Sequence, residues 1–541
     1  MRSGCAVLTV IAALLLSLGL LVQAAQPMAD GQPERPRLRV DTTPVAPVGR
    51  TISVGAGGDL QAALERARPG DVITLEAGAT FAGPFTLPPK QGEGWVTIRT
   101  SAPDHDLPAP GVRIDPSYAR FMPKLEAAKG AVIVTALGAH HYRFIGIEIR
   151  PKPRIALVNL VQFGGVEPSV ELLPSHLIVD RCYLHGDPEK GTRRGIAMNS
   201  RFTAVIDSYL ADFKEVGVDS QAIAGWAGAG PFRIHNSYLE AAGENVMFGG
   251  ADPVIRNLVP SDIEIRGNNF SKPLRWKVGD PAFERTPWAV KNLLELKNAR
   301  RVFIEGNVLE YTWAHAQAGF AVLFTVRNQD GGAPWSVVED VTFVNNVVRH
   351  VGGGINVLAR DNNYPSQPAA RLLIANNLFD DVGGAHWGRG ILFQTLEGTA
   401  HLTIEHNTAF QQGPIIVAEG RPHTGFVYRN NVTAHNTAGI AGTDTGVGNS
   451  TLTTYFPGAI VRRNVIVGGI PRLYPPDNFF PASFDEVGFV NRPSGNHRLT
   501  DASRYRRAGT DGRDPGVDFE TLISARKSLS NLPSATAAPA R

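Results

Sequence analysis

Between Leu177 and Gly469 one short pattern recurs ten times: two or three alternating apolar residues, a polar turn residue that is usually Asn, then another small apolar group. Ile178-Val179-Asp180-Arg181-Cys182-Tyr183, Phe303-Ile304-Glu305-Gly306-Asn307-Val308 and Val461-Arg462-Arg463-Asn464-Val465 are three of these rows. Aligning Arg181, Asp207, Asn236, Asn268, Asn307, Asn346, Asn377, Asn407, Asn431 and Asn464 in one column gives intervals of 26, 29, 32, 39, 39, 31, 30, 24 and 33 residues. A repeat of this length without helical periodicity specifies a solenoid of short β-type runs. One unit cannot bury its own apolar face, so the units must stack. Stacking sets equivalent turns above one another, where an inward Asn hydrogen-bonds its copies. The Asn column therefore reads as turn and ladder residues rather than catalysts. At ~4.8 Å per row the ten rows make a rod of about 50 Å.

The 541 residues are 43% apolar and 19% charged, with 57 Gly and 39 Pro, the balance of a folded, turn-rich β protein. A net charge of +3 carries no polyanion signature, so nucleic acid is not an expected partner. Residues 1–24 read as a secretory signal: Arg2 is basic, Ala6 to Val22 are apolar, and Val22-Gln23-Ala24 offers a cleavage site. An uncleaved anchor is the alternative. The expected location is secreted or periplasmic, with no membrane segment in the mature chain. Cys182 is then the one remaining cysteine, which leaves no intramolecular disulfide. It occupies the slot that Ser208 and Ser237 fill in the next rows, as a buried small residue would.

Residues 25–50 read as a linker, 51–470 as the repeat domain and 471–541 as a closing segment and tail. Asp59 is an N-cap for a short helix with Leu60, Ala63, Leu64 and Ala67 on one face, stopped by Pro69-Gly70. Such a helix covers the apolar cross-section at the open end of a β-rod. Gly58-Asp-Leu-Gln-Ala-Ala-Leu64, then Arg68-Pro-Gly-Asp-Val-Ile-Thr-Leu75, then rows of Asn turns resembles the right-handed parallel β-helix proteins of the pectate-lyase-like superfamily, over roughly residues 50 to 470. The resemblance implies an all-β solenoid with a short N-terminal capping helix. It does not select an activity, because that superfamily includes lyases, hydrolases, epimerases and adhesins.

In such a rod the core is closed, so chemistry lies on outward residues and inserted turns. The two inserts are 271–291, with Trp276 and Trp288, and 326–336, with Arg327 and Trp335; Trp313 lies in a neighbouring turn. Flat aromatic faces beside polar groups suit sugar rings, and packing of the loops onto the rod is the other reading. Glu240, Glu244 and Asp252 are candidate oxygen ligands for Ca²⁺. Alternation in the strand after Gly243 predicts Val246 and Phe248 inward and Asn245 outward. The segment resembles polysaccharide lyases of the alginate-lyase and chondroitinase-B kind, which carry an acidic metal site after a Gly-Glu turn and a nearby Lys base. It departs from them because no Lys follows in the same strand.

Glu295 and Lys297 are expected outward in the next row, with Arg327, Asn356 and Gln394 extending the face. Uronate β-elimination needs a base for the proton α to a carboxylate and cations for the developing enolate. Lys297 or Lys291 is the candidate base, Arg327 the carboxylate partner and Glu295 part of the same group. His350 and Asp381 belong to a polar column past the Asn turn that reads as a solvated edge. Asp380-Asp381 lacks the other motifs of polygalacturonase-type hydrolases. The reading is a monomeric polysaccharide-acting β-helix, a Ca²⁺-assisted uronate lyase in its sharper form. Its rival is a non-catalytic glycan-binding or surface-structural β-helix.

Overall fold

Alternation within each row makes strands, and the polar turn between them bends the chain into a coil. The computed structural model describes residues 31–527. The signal proposed for residues 1–24 lies outside them. Each coil gives one strand to each of three parallel sheets: sheet 1 with 14 strands, sheet 2 with 13 and sheet 3 with 12. One turn of the coil runs Ser175–Asp180 in sheet 1, Tyr183–His185 in sheet 2 and Arg194–Met198 in sheet 3 before re-entering sheet 1 at Arg201–Ile206. The chain is a right-handed parallel β-helix, as the resemblance implied. Val179, Val205, Ile234, Ile265 and Ile304 occupy one inward column in register, all in a single continuous core.

The Asn ladder is present and runs one member past the repeat, to Asn478. Nδ2 of Asn268 donates to Oδ1 of Asn307 at 3.1 Å, and the same bond links Asn307, Asn346, Asn377, Asn407, Asn431, Asn464 and finally Asn478. Each Oδ1 also accepts the main-chain N–H of the Asn one coil before it, as Asn346 Oδ1 does from Asn307 at 3.0 Å. The first three rows need a correction of one residue. The inward slot holds Cys182, Ser208 and Ser237, whose hydroxyls or the following Asn accept the same N–H. Arg181, Asp207 and Asn236 instead hold the left-handed turn position before it, at φ 49°, 53° and 46°. Asn and Asp tolerate that region better than most residues, so the turn and the ladder favour the same amino acid at adjacent positions. The Cys182 thiol is buried, and burial pushes it up to about 12.

The capping helix spans Leu60–Arg66, with the Asp59 side chain accepting from Ala62 N and with Leu60, Ala63 and Leu64 buried against the first coils. Residues 31–50, expected as a linker, lie instead as an ordered strap along sheet 1, running against the order of the coils. Glu34 N donates to Asp340 Oδ1, Arg37 N to Asp262 Oδ1, and Gly49 N to Gly70 O. Val40 packs on Ile178, Ala204 and Ile206. The closing segment turns back onto the turns between sheets 1 and 2: Val517 N donates to Thr408 Oγ1 and Asp518 N to Asn376 Oδ1. Phe519, which opens the helix Phe519–Lys527, packs on Val347 and Leu378. No helix among the described residues is long and apolar enough to cross a membrane.

Candidate functional site

The corner where each coil enters sheet 3 sets the site. Two consecutive residues turn inward there, Ala222-Ile223, Leu293-Leu294 and Ala321-Val322, all in the core. The residue just before them is thereby thrown outward: Gln221, Asn292 and Phe320. Asn245 sits in register between Ala222 and Leu293, so it points into the rod and not outward as strict alternation predicted. It is 0% exposed. Its Nδ2 donates to the carbonyls of Leu239 (2.7 Å) and Ser271 (2.9 Å), and its Oδ1 accepts from Lys272 Nζ at 2.9 Å. Asn245 is a corner brace and cannot meet a ligand. Glu244, one residue earlier, takes the outward slot.

Glu244 begins a polar cluster on the outer face of sheet 3. Gln221 Nε2 donates to its Oε2 at 2.7 Å, and Lys291 Nζ lies 3.7 Å from its Oε1 and 2.5 Å from Asp219 Oδ1. One coil on, Glu295 accepts from Asn292 Nδ2 at 3.0 Å and Thr325 Oγ1 at 3.2 Å, with Lys297 Nζ at 3.7 Å. Arg327 pairs with Asp361 at 3.3 Å and also bonds Asn362. Glu295, Lys297, Arg327, Asn356 and Gln394 line one open hollow of about 430 Å³. The carboxylates form its floor, while the side chains of Lys297 and Arg327 reach solvent (14% and 30% exposed). The sequence-expected face of Glu295, Lys297, Arg327, Asn356 and Gln394 is therefore one surface, with Lys291 and Glu244 adjoining it.

Burial, then the charges of Glu295 and Asp219, push the Glu244 carboxyl up to about 7 against the pull of Lys291 and Lys297. Burial draws the Lys291 ammonium down, but Glu244 and Asp219 outweigh it and the net shift is upward. Lys291 is thus locked as a cation between two acids. Beneath the corner, burial draws Lys272 down to about 7, although Glu244 and Glu240 oppose this. Its Nζ donates to the carbonyls of Ala241, Ala242 and Gly243 as well as to Asn245.

The other expected site residues lie elsewhere. Glu240 belongs to sheet 2, where Tyr238 and Arg275 bind its carboxyl. Asp252 accepts from the N–H groups of Asp330 and Gly332 and ties two loops together. Glu240, Glu244 and Asp252 therefore do not converge, and among the described residues no group of three or more His, Cys, Asp or Glu could hold a metal ion. The donor set does not fit the Ca²⁺ that the resemblance implied.

Trp276, Trp288 and Trp313 are 1%, 4% and 3% exposed and pack together with Val290, so they offer no face to a sugar. Lys214 Nζ stands 5.3 Å and 5.0 Å from the rings of Trp276 and Trp288, and this buried cluster holds the long insert to the rod. Trp335 is half-buried, with Nε1 donating to Leu258 O at 3.0 Å, and braces loops.

Sequence reasoning missed Asp219 and Gln221, which complete the first half of the cluster, and Arg194, which continues the column they start. The available signal was a polar residue opening three successive sheet 3 strands, at Arg194, Gln221 and Glu244.

Neither a family model nor a curated protein matches the sequence. Among solved structures the chain is similar to the PL6 family alginate lyase AlyGC, at 14% identity and TM-score 0.48 over 88% of this chain and 58% of that one. It is also similar to an alginate lyase from Paenibacillus sp. str. FPU-7 (15% identity, TM-score 0.33, 61% of this chain and 99% of that one). Pectate lyase Pel9A is similar at 12% identity and TM-score 0.28, over 86% of this chain and 96% of that one. This chain spans somewhat over half the length of AlyGC. At these identities no activity transfers, and the fold assignment rests on the three sheets themselves.

Proposed function

We propose that the outer face of sheet 3 binds an acidic polysaccharide and that the protein is a secreted lyase, acting as a monomer, that cleaves a uronate chain by β-elimination. The observation that carries this is the shared hollow of Glu295, Lys297, Arg327, Asn356 and Gln394, open along the rod and edged by two solvent-reaching cations. In this reading Arg327 pairs with the uronate carboxylate, and its planar fork suits that geometry. Lys297, held less closely than Lys291, takes the proton from the carbon α to the carboxylate. The freed electron pair forms the ring double bond as the bond to the glycosidic oxygen breaks, and that oxygen leaves with a proton from solvent. Asn356 and Gln394 orient sugar hydroxyls. Lys291, clamped by Asp219 and Glu244, contributes fixed positive charge beside the developing enolate.

The second reading, a glycan-binding β-helix without catalysis, is favoured by the ion pair of Lys297 with Glu295 at 3.7 Å, which engages the amine that would have to act as base. The two separate on incubating the protein with polymannuronate, polyguluronate and polygalacturonate and following the ultraviolet absorbance of unsaturated uronate. A lyase generates the absorbance, with and without chelator, and Lys297→Ala lowers the rate by about 10²–10⁴-fold. A binder is retarded in polyuronate gels without producing it. Absence of both effects ends the proposal.

A further inference from the structure

The polar face does not stop at Glu244. Two coils earlier in the same outward column, through Gln221, stands Arg194. Its Nε donates to Gln221 Oε1 at 2.9 Å and its Nη1 to Asn159 Oδ1 at 3.4 Å, both neutral amides. Among the described residues Arg194 forms no ion pair, unlike Lys291, Lys297 and Arg327 on the same face. Burial draws its guanidinium down to about 10, so it stays charged at neutral pH.

Its surroundings are those of a binding position rather than of a packed core. The guanidinium carbon lies 5.2 Å from the ring centre of half-buried Trp226. Trp226 N and Ala227 N are both fixed by Asn199 Oδ1 at 2.9 Å. Across from the indole the wall is Gly165, at φ 119°, where an added Cβ would come within 4.0 Å of Trp226 Cζ2 and 3.1 Å of Asn199 Nδ2. That Nδ2 is buried without a hydrogen-bond partner and borders the space the missing side chain leaves. Between Arg194 and the Glu295 coil the central outward column is Ala197, Ala224 and Met247, all buried.

A half-buried guanidinium with no direct ion pair, its nearest acids Glu244 and Asp219 acting only from a distance, beside an indole bordered by glycine, matches an acidic sugar in two respects. The fork takes an oxyanion, and the ring takes the C–H face of a pyranose. We propose that Arg194 and Trp226 form a second saccharide-binding position that recognises the oxyanion of an acidic sugar three coils, or ~14 Å, up the rod from Lys297. The proposal rests on the reading of sheet 3 as a polysaccharide groove. It adds that the groove selects for charge several sugar residues away from the reacting one. A uronate carboxylate and a sulfate ester would both satisfy the fork.

The test is calorimetric titration of the full chain with size-defined mannuronate, galacturonate and sulfated galactan oligosaccharides, di- to hexasaccharide, with neutral glucan oligomers as control. Wild-type affinity for acidic oligomers is expected to step up once the chain is long enough to span both positions. Whether carboxylated or sulfated oligomers show the step identifies the oxyanion. Arg194→Gln and Trp226→Ala should each lose that step, about tenfold or more, and leave the shortest oligomers unaffected. Arg194→Lys should keep part of it. If Arg194→Gln lowers the melting temperature, Trp226→Ala decides. Retention of the full step in both variants, while Lys297→Ala weakens every oligomer, would overturn this position and leave the groove standing. If no acidic oligomer binds the wild type, both readings fall together.

Discussion

Nζ of Lys272 donates to Oδ1 of Asn245 across 2.9 Å, and both side chains lie wholly inside the rod. The same ammonium holds the carbonyls of residues 241–243, the turn that delivers Glu244 to the outer face. A lysine is thus used as an internal brace, with all its donors committed to the corner beneath the candidate site.

Lys272→Met should therefore remove the three N–H donors shared by four buried oxygens, of which, among the described residues, only Ala242 O keeps another donor, the Lys291 N–H. At ~1–3 kcal/mol for each buried group left unsatisfied, the loss should reach several kcal/mol. Leu293 fills the position of Asn245 one coil later, so Asn245→Leu in the Lys272→Met background should cost less than the two single losses summed. Urea denaturation of the four proteins in the cycle gives the coupling, expected at about 0.5–3 kcal/mol. A coupling of zero would mean that the brace contributes nothing.

Glu244 supplies a pH signature. Burial holds its folded carboxyl up at about 7, above the 4.5 of the unfolded chain. Below the lower value both states hold the proton. Between about pH 4.5 and 7 only the folded chain does, so stability falls as pH rises through that window. Glu244→Gln should flatten this slope relative to wild type in calorimetric melts taken across the window. An unchanged slope would place the proton elsewhere.

The ladder predicts unequal costs for chemically identical changes. Asn346 accepts from the side chain and N–H of Asn307 and donates to Asn377, Ile304 and Val344. Asn478 is the last member: it accepts from the side chain and N–H of Asn464 and donates to Val461 O and Pro475 O, but to no further ladder amide. Asn346→Ala should destabilise by about 3 kcal/mol and Asn478→Ala by about 1 kcal/mol less, the worth of the one ladder bond it lacks. The midpoints of chemical denaturation measure both.

The buried tryptophans predict a dissociation of stability from binding. Trp276→Phe should lower stability by about 1–3 kcal/mol, since it removes part of a fully buried ring beside Lys214. Retardation in polyuronate gels should be unchanged, whereas Arg327→Ala should weaken it. Loss of retardation in a stably folded Trp276 variant would return that residue to the site.

The coil, its core columns and the capping helix were legible because each follows from a local period: alternation, row length and one N-cap. The Glu295, Lys297, Arg327 face was legible for the same reason, being set by alternation within a strand. Asn245 was not, because the corner into sheet 3 places two inward residues in succession and breaks the parity on which the reading depended. The tryptophans misled because nothing in composition separates a ring that binds a ligand from one that pins a loop. Asp219 escaped notice because it lies in a turn before its strand, and its contact with Lys291 spans 72 residues of chain. The strap at 31–50 was invisible for a related reason: its partners are distributed over coils formed by residues hundreds of positions later.

That strap bears on the order of events during synthesis. Its residues leave the ribosome before any coil does, yet Glu34 needs the coil of Asp340, and Gly31 lies so close to His401 that an added Cβ would sit 2.5 Å from Nδ1. The first residues of the strap must therefore wait until the coils of Asp340 and His401 have been made and wound, while its later part can already dock through Gly49 on Gly70 and Val40 on Ile178. A nascent chain halted before residue 340 would have every early coil it needs and still leave those first residues without their final berth.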